Sequence, residues 1–238
     1  MKKIIVVCIF WLMQFTALAQ DQLVVDANAS VRELQGAFNK IKISGSIKVI
    51  LNQSADVALA VSASEEKYKA SLKTVVENNT LKIYWDGASN WSNKNRQLTV
   101  YVSFKELTEI NASGASDIIV VGVLSSDKLQ INLSGATNMK ADINATQFTI
   151  ELSGASEARL KGKASVLNVN CSGASDMNAY ELSAESCNAT ASGASDLNIT
   201  VNKEINAEAS GASHIYYKGN AAVTNIKASG VSKVSKKN

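Results

Sequence analysis

The sequence predicts an all-β protein, a right-handed parallel β-helix (a β-solenoid) of about seven coils with a β-rich cap region on their N-terminal side. Two observations predict this fold class. A glycine-centred motif recurs at a nearly constant spacing, and apolar and polar residues alternate on both sides of it. With 238 residues, 46% of them hydrophobic, the chain is long and apolar enough to bury a sizeable core.

The recurring motif is SGASD at 113–117, followed by SGATN, SGASE, SGASD, SGASD, SGASH and SGVSK. Successive motif glycines lie 18 to 21 residues apart, a period typical of solenoids in which each repeat forms one coil. The irregular period disfavours the strict hexapeptide repeat of left-handed β-helices and so favours right-handed coiling. The glycines that mark the coil corners are Gly114, Gly135, Gly154, Gly173, Gly193, Gly211 and Gly230.

The flanking residues indicate strands with one buried and one solvated face. In one copy Phe148, Ile150 and Leu152 alternate with Thr149 and Glu151, which is the two-residue period of a β-strand. We therefore predict that each coil consists of a strand, a tight corner, a second strand and a looser turn, with equivalent residues stacked ~4.8 Å apart. Counting back six, four and two residues from the last glycine selects the inward residues Thr224, Ile226 and Ala228.

The corner residues suit a sharp turn. Glycine adopts left-handed backbone angles without a Cβ clash, and the alanine that follows it, such as Ala155, is small enough to point into a narrow interior. The flanking serines, such as Ser153 and Ser156, are expected to hydrogen-bond to the turn backbone or to a serine one coil away.

We divide the chain into a signal peptide (1–19), a leader (20–37), a β-rich N-terminal part (38–104) and regular coils (105–238). In the third part, Ser44-Gly45-Ser46 is predicted to form a degenerate corner, and the segment from Ser64 to Leu72 a short helix or turn. The predicted strands there are Ile41–Ile43, Ile47–Leu51, Val57–Val61, Leu81–Trp85 and Leu98–Val102.

The first segment is typical of an exported protein. Lys2 and Lys3 precede an apolar run that ends near Met13, and Ala17-Leu18-Ala19 forms a cleavage site. Removing this segment leaves 22 basic and 21 acidic residues, which is too balanced for nucleic-acid binding. No second apolar span follows, so we expect an extracytoplasmic protein (periplasmic, cell-surface or secreted) without a transmembrane segment in the mature chain.

The signal peptide, the β-rich lead-in and the SGAS(D/E/N) repeats together resemble a known family, the secreted bacterial "putative auto-transporter adhesin, head GIN domain" family, which is common in Bacteroidetes. The resemblance covers roughly residues 38–231. It implies an exported β-solenoid domain with an adhesive function. It carries no established catalytic residues to transfer to this chain.

One candidate site is the column of residues three positions after each glycine. Glu157, Asp176 and Asp196 would stack about 5 Å apart along one edge, where like charges repel unless they reach into water or share a cation. They are therefore solvated corner residues, a polar strip that binds a ligand, or a weak Ca²⁺ site. A glycosidase-like carboxylate pair is also allowed geometrically. The column also contains Asp117, Asn138, His214 and Lys233.

A second candidate site is the aromatic segment 84–91. Trp85 and Trp91 either stack against sugar rings or cover the end of the core.

Few residues suit metal or redox chemistry, and no cofactor is expected. The single histidine, His214, is predicted to be a corner residue without a partner. Cys171 and Cys187 both lie on the inward face but at different distances from their glycines, which favours buried free thiols over a disulfide.

Three functions remain open. The leading hypothesis is a non-catalytic binding or adhesion module for a glycan or a cell-surface protein, because the outer face is long, uniform and polar. The second is a polysaccharide-active β-helix enzyme, which needs a groove with carboxylates and Arg or Lys placed together; Arg159 near Glu157 comes nearest to that arrangement. The third is a self-assembling structural protein, because the Ala-rich late coils and the Lys-rich tail 233–237 provide little cap against end-to-end pairing.

Overall fold

The computed structural model describes Asp26, residues 28–87 and residues 96–238. These residues form one sixteen-stranded sheet and one short helix. The elements are β1 (Ser30–Arg32), β2 (Lys40–Gly45), β3 (Lys48–Gln53), β4 (Ala58–Ala63), α1 (Glu66–Ser71), β5 (Leu72–Glu77), β6 (Thr80–Trp85), β7 (Leu98–Phe104), β8 (Glu109–Gly114), β9 (Asp117–Leu133), β10 (Asn138–Leu152), β11 (Glu157–Cys171), β12 (Asp176–Ala191), β13 (Asp196–Ala209), β14 (His214–Lys218), β15 (Ala222–Ala228) and β16 (Lys233–Lys236).

The repeats form the predicted β-solenoid. Strands β9 to β13 each run from one glycine corner to the next and pair in parallel with the strand of the following coil. Ile131, Ile150 and Val169 lie in register on successive rungs and are almost completely buried. The alternating apolar residues therefore make one continuous interior, as the sequence predicted.

The irregular repeat length has a local cause. Between β9 and β10 the register shifts where Lys140 pairs with Ile119 and Asp142 pairs with Val123, so β9 carries two extra residues there. The shifts in β11/β12 and β12/β13 also begin on the wall that follows the corner, whereas the shift in β13/β15 lies on the opposite wall. These bulges absorb the differences in period, so the corners stay in register.

The corner differs from the prediction in which residue points inward. Ala155 is exposed, whereas Ser156 is buried and its Oγ donates a hydrogen bond of 2.8 Å to the carbonyl of Ser153. The amide of Ala155 donates to the carbonyl of Gly135 in the preceding coil, at 2.7 Å. The prediction that the alanine points inward was wrong, because the hydroxyl finds its partner inside the corner and can therefore be buried. The same pattern holds at Ser116, Thr137, Ser175, Ser195 and Ser213.

The N-terminal part continues both walls of the solenoid. Strands β2 and β3 flank a corner at Gly45, as predicted, and pair in parallel with β8 and β9. Residues 54–108 are inserted between this coil and the next. They add β7 and β4 to one wall and β6 and β5 to the other, and β1, from the preceding segment, pairs with β4. The outermost pairings on both walls are antiparallel. The helix α1 lies between β4 and β5 and buries Tyr68 against the end of the core.

Part of the predicted leader is structured. Residues 30–32 form β1, and the guanidinium of Arg32 donates hydrogen bonds of 2.5 Å to the carbonyls of Leu72 and Lys69. These bonds connect the leader to α1 and β5. The predicted signal peptide, 1–19, lies outside the described residues.

Cys171 and Cys187 are buried free thiols, as the sequence indicated. Burial raises the pKa of both thiols to about 12, so they stay protonated at neutral pH. In the part of the chain that the structure describes, no helix is long and apolar enough to cross a membrane.

Candidate functional site

The corner column forms as the repeat spacing predicts. Strand register places Asp117, Asn138, Glu157, Asp176, Asp196, His214 and Lys233 on consecutive rungs at the same edge. Three carboxylates therefore follow one another in the middle of the column.

Most side chains of the column have a hydrogen-bond or ion-pair partner among the described residues. The amide of Asn138 donates to Asp117 Oδ1 at 2.9 Å, and Arg159 Nε lies 2.6 Å from Glu157 Oε1. His214 Nδ1 lies 2.8 Å from Asp196 Oδ1, which corrects the expectation that this histidine lacks a partner.

Asp176 is the exception among the described acidic residues of the column. Partial burial raises the pKa of its carboxyl group, and the neighbouring carboxylates Glu157 and Asp196 raise it further. Among the described residues its side chain has no hydrogen-bond donor, and no three His, Cys, Asp or Glu residues come close enough together to hold a metal ion. The geometry therefore gives no support to the Ca²⁺ site considered from the sequence.

We expect Asp176→Asn to stabilise the protein by up to about 1 kcal/mol near neutral pH. An amide at this position removes the repulsion and can donate to a neighbouring carboxylate, as Asn138 does to Asp117. Because the folded pKa of Asp176 lies above its ordinary value of 3.8, the ionised group lowers stability at neutral pH, and this cost disappears as the pH falls through the raised pKa.

Urea unfolding at several pH values checks this prediction. The gain should shrink as the pH falls and vanish below about 3.8, the ordinary aspartate value. The reverse substitution, Asn138→Asp, should destabilise at neutral pH. A gain that is independent of pH would show that charge repulsion in the column is not its cause.

Of the two tryptophans in the aromatic site predicted from the sequence, the structure describes Trp85. Trp85 packs against the core end, 6.1 Å from the Tyr68 ring, with the Arg96 guanidinium 4.2 Å over its own ring. A sugar that stacked on this face would have to displace the guanidinium. Trp91 lies outside the described residues.

A groove runs along the edge where the coils bend, at the far end of each wall from the glycine corner. It encloses about 1080 Å³ and is lined by residues of six successive rungs, from Gln53 to Asn202. With rungs ~4.8 Å apart, its length is about 24 Å.

The groove forms at the bend because the alternation of inward and outward side chains is interrupted there. Ala145 and Phe148 both point inward although they are three positions apart, and residues 146–147 point outward between them. The inward residue before the bend is small in the central coils, where Ala145, Ala164 and Ala184 lie in register. Small side chains let the backbone approach the solenoid axis, so this edge becomes concave.

The groove is lined by polar side chains with unused hydrogen-bonding capacity. Its central rungs carry Asn144 beside Lys163, and neither side chain has a hydrogen bond or ion pair to any residue that the structure describes. At the ends, Gln53 Oε1 accepts from the Ser125 amide at 2.7 Å and Asn202 donates to Ser183 Oγ at 2.8 Å. None of the described lining residues is aromatic. The centre of the groove therefore offers an amide and an ammonium group to a ligand.

Sequence reasoning missed this groove, although one signal for it was present. Alanine stands nine positions before the corner glycine in three copies, at Ala145, Ala164 and Ala184, and each is followed by a polar residue. Small residues at a fixed inward position indicate where a coil narrows.

Several solved structures share this fold. A putative adhesin from Bacteroides fragilis is 20% identical, with a TM-score of 0.80 over 88% of this chain and 96% of its own. A putative lipid binding protein from Parabacteroides distasonis is 20% identical, with a TM-score of 0.65 over 90% of this chain and 98% of its own. A putative adhesin from Parabacteroides merdae is 19% identical, with the same TM-score and coverage.

No protein with a curated function matches the chain. A family model does match, described as "Putative auto-transporter adhesin, head GIN domain", and it spans residues 37–221. This range holds most of the glycine-cornered coils and the inserted N-terminal strands, and it confirms the resemblance inferred from the repeats. This chain therefore belongs to the putative auto-transporter adhesin, head GIN domain family.

Proposed function

We propose that this protein is an extracytoplasmic, non-catalytic binding module that holds an extended polar ligand, a glycan of a cell surface, in the groove at the coil bends. The observation that carries the proposal is the groove itself: six rungs present amide, hydroxyl and ammonium groups along one concave edge. A polymer with a regular repeat can make similar contacts at successive rungs, because the rungs themselves repeat.

The identity of the relatives supports a binding role. Two of the structural neighbours are described as putative adhesins, and the family is described in the same terms. One neighbour is described as a putative lipid binding protein, but the polar lining around Asn144 and Lys163 suits a hydroxyl-rich ligand better than an acyl chain. The predicted signal peptide supports an extracytoplasmic location.

The corner column supports catalysis less well. Glu157 is held by Arg159 and Asp196 by His214, and all the acids project from the same edge of one wall. A glycosidase instead places its two carboxyl groups on opposite sides of the scissile bond.

A glycan array tests the proposal with matched variants. We expect the double variant Asn144→Ala, Lys163→Ala to lose binding about tenfold or more, because each removed group would contribute about 1 kcal/mol. Asn144 and Lys163 lie on the wall that follows the glycine corner. The control double variant Asn170→Ala, Lys42→Ala removes an exposed amide and an exposed ammonium group from the wall that precedes the corner. It should bind like the unmodified protein.

Other outcomes would contradict the proposal. Loss of binding in Trp91→Ala or Trp85→Ala, with the groove variant unaffected, would place the ligand at the aromatic segment. Turnover of an acidic polysaccharide that is lost in Glu157→Gln would identify the protein as an enzyme.

A further inference from the structure

The two ends of the solenoid differ in how they are covered. At the N-terminal end, antiparallel strands and α1 close the interior and bury Tyr68 and Leu72. At the other end, β15 pairs with β13 and β16 pairs with β14, both in parallel. Among the described residues, nothing pairs with the outer edge of either strand.

The columns of inward-facing side chains extend to this unpaired strand edge. Register places Val223 beside Ile205 and Ile226 beside Ala207. Ile205 and Ala207 are completely buried, whereas Val223 is 49% and Ile226 40% exposed. The register also corrects the inward set predicted for the last copy: a bulge puts Val223 in the column, and Thr224 instead donates to the carbonyl of Ile205.

A side-chain ladder ends at the same edge. On the outer face, Asn225 donates its amide to Asn206, Asn206 to Asn188 and Asn188 to Asn168, at 3.0 to 3.4 Å. Each rung accepts from the rung that follows it. The side-chain carbonyl of Asn225 therefore accepts no hydrogen bond from any described residue, and the next strand of the ladder would supply its donor.

The lysine, arginine, aspartate and glutamate residues at this end of the solenoid are all lysines, so its side chains carry positive charge. Residues 209–238 contain five lysines and no aspartate or glutamate. Lys227 pairs with Glu208 of the preceding rung, whereas Lys233 and Lys236 have no ion pair with any described residue. Two copies that met at this end would place lysines against lysines, so the charge disfavours a second copy there and favours an acidic partner.

We infer that the C-terminal edge formed by β15 and β16 binds an extended acidic segment of another polypeptide as one further rung. The segment's backbone would pair with the free strand edge, and its alternate apolar residues would cover Val223 and Ile226. An outward acidic residue of the segment would face Lys233, which is in register with His214 of the corner column, and a second acidic residue would face Lys236, which is in register with Tyr217. This edge lies outside the groove and at the end of the corner column, two rungs beyond Asp196.

A designed peptide, Glu-Ile-Asn-Val-Glu-Ile-Glu-Ser-Gly-Ala-Ser-Glu-Val-Ser-Glu, tests the inference with the whole chain. In its first seven positions outward acidic or asparagine residues alternate with branched apolar ones, its Ser-Gly-Ala-Ser segment copies the coil corner between β15 and β16, and its last four residues reach Lys233 and Lys236. We expect saturable binding by fluorescence polarisation, with slowed amide hydrogen exchange in residues 222–236. Replacing the glutamates of the peptide with lysine, or N-methylating alternate amides, should each weaken binding about tenfold or more.

Matched variants locate the contact. The double variant Lys233→Glu, Lys236→Glu should weaken binding about tenfold or more, whereas Lys42→Glu, Lys140→Glu makes the same charge change on the walls and should bind normally. Absence of binding would overturn the inference and identify the lysines as protection against edge-to-edge association. Equal binding of the N-methylated peptide would exclude strand addition. Sedimentation showing dimers that dissociate in the Lys233→Glu, Lys236→Glu variant would assign the edge to a second copy.

Discussion

Replacing Ile150 with aspartate is expected to abolish cooperative unfolding of the whole domain. Ile150 is completely buried and lies between Ile131 and Val169 on the neighbouring rungs. The substitution removes ~1.5–3 kcal/mol of apolar burial and leaves an unpaired carboxylate in a dry interior, which costs several kcal/mol more. A protein with about 5–15 kcal/mol of total stability cannot absorb both losses.

The control for this prediction makes the same change of charge on the outer face. Asn170 is exposed on the rung after Glu151, so Asn170→Asp should change stability by about 0.5 kcal/mol or less. Thermal melting followed by circular dichroism measures both variants. Similar shifts in Tm would show that the inside and outside of the strand have been assigned wrongly.

Replacing Gly154 with alanine is expected to destabilise the protein by ~2–5 kcal/mol. Gly154 has a φ of +72°, and a Cβ atom there would lie 2.6 Å from the carbonyl oxygen of Gly135 in the preceding coil. The neighbour is backbone in a hydrogen-bonded corner, where the carbonyl of Gly135 already accepts from Ala155. The added methyl group can fit only if the two coils separate locally.

Gly122 provides a control with the same backbone angle. Its φ is +71°, but a Cβ atom there would have no neighbour within 4 Å. Gly122→Ala should therefore cost only the strain of a left-handed residue, ~1–2 kcal/mol. Urea unfolding of both variants separates conformational strain from coil-to-coil contact. Equal losses would mean that close stacking of the corners does not require glycine.

The comparison of Gly154 with Gly122 also shows how far sequence reasoning reaches at the corner. The need for a left-handed residue follows from the tight turn and was predicted. The contact between corner backbones depends on how closely the coils stack, and it is visible only when Gly135 lies under Gly154. The same limit explains Ala155 and Ser156, because the partner of the buried hydroxyl exists only in the folded corner.

The candidate sites were predictable to different degrees. The order of Glu157, Asp176 and Asp196 along one edge follows from the repeat alone, since residues at equal distances from the glycines must stack. The pairing of His214 with Asp196 depends on side-chain conformations across two rungs. The role of Trp85 depends on the inserted strands and α1, which carry no repeat to indicate where they pack.

The solenoid, its inward columns and its corner edge could be predicted from the amino-acid sequence, because these features repeat and each copy reinforces the same pattern. The concave bend edge, the closure of the N-terminal end and the open edge at Val223 and Ile226 became visible only in the folded chain. Those features depend on bulges, insertions and neighbouring rungs, which are contacts between distant residues and leave no periodic trace in the chain.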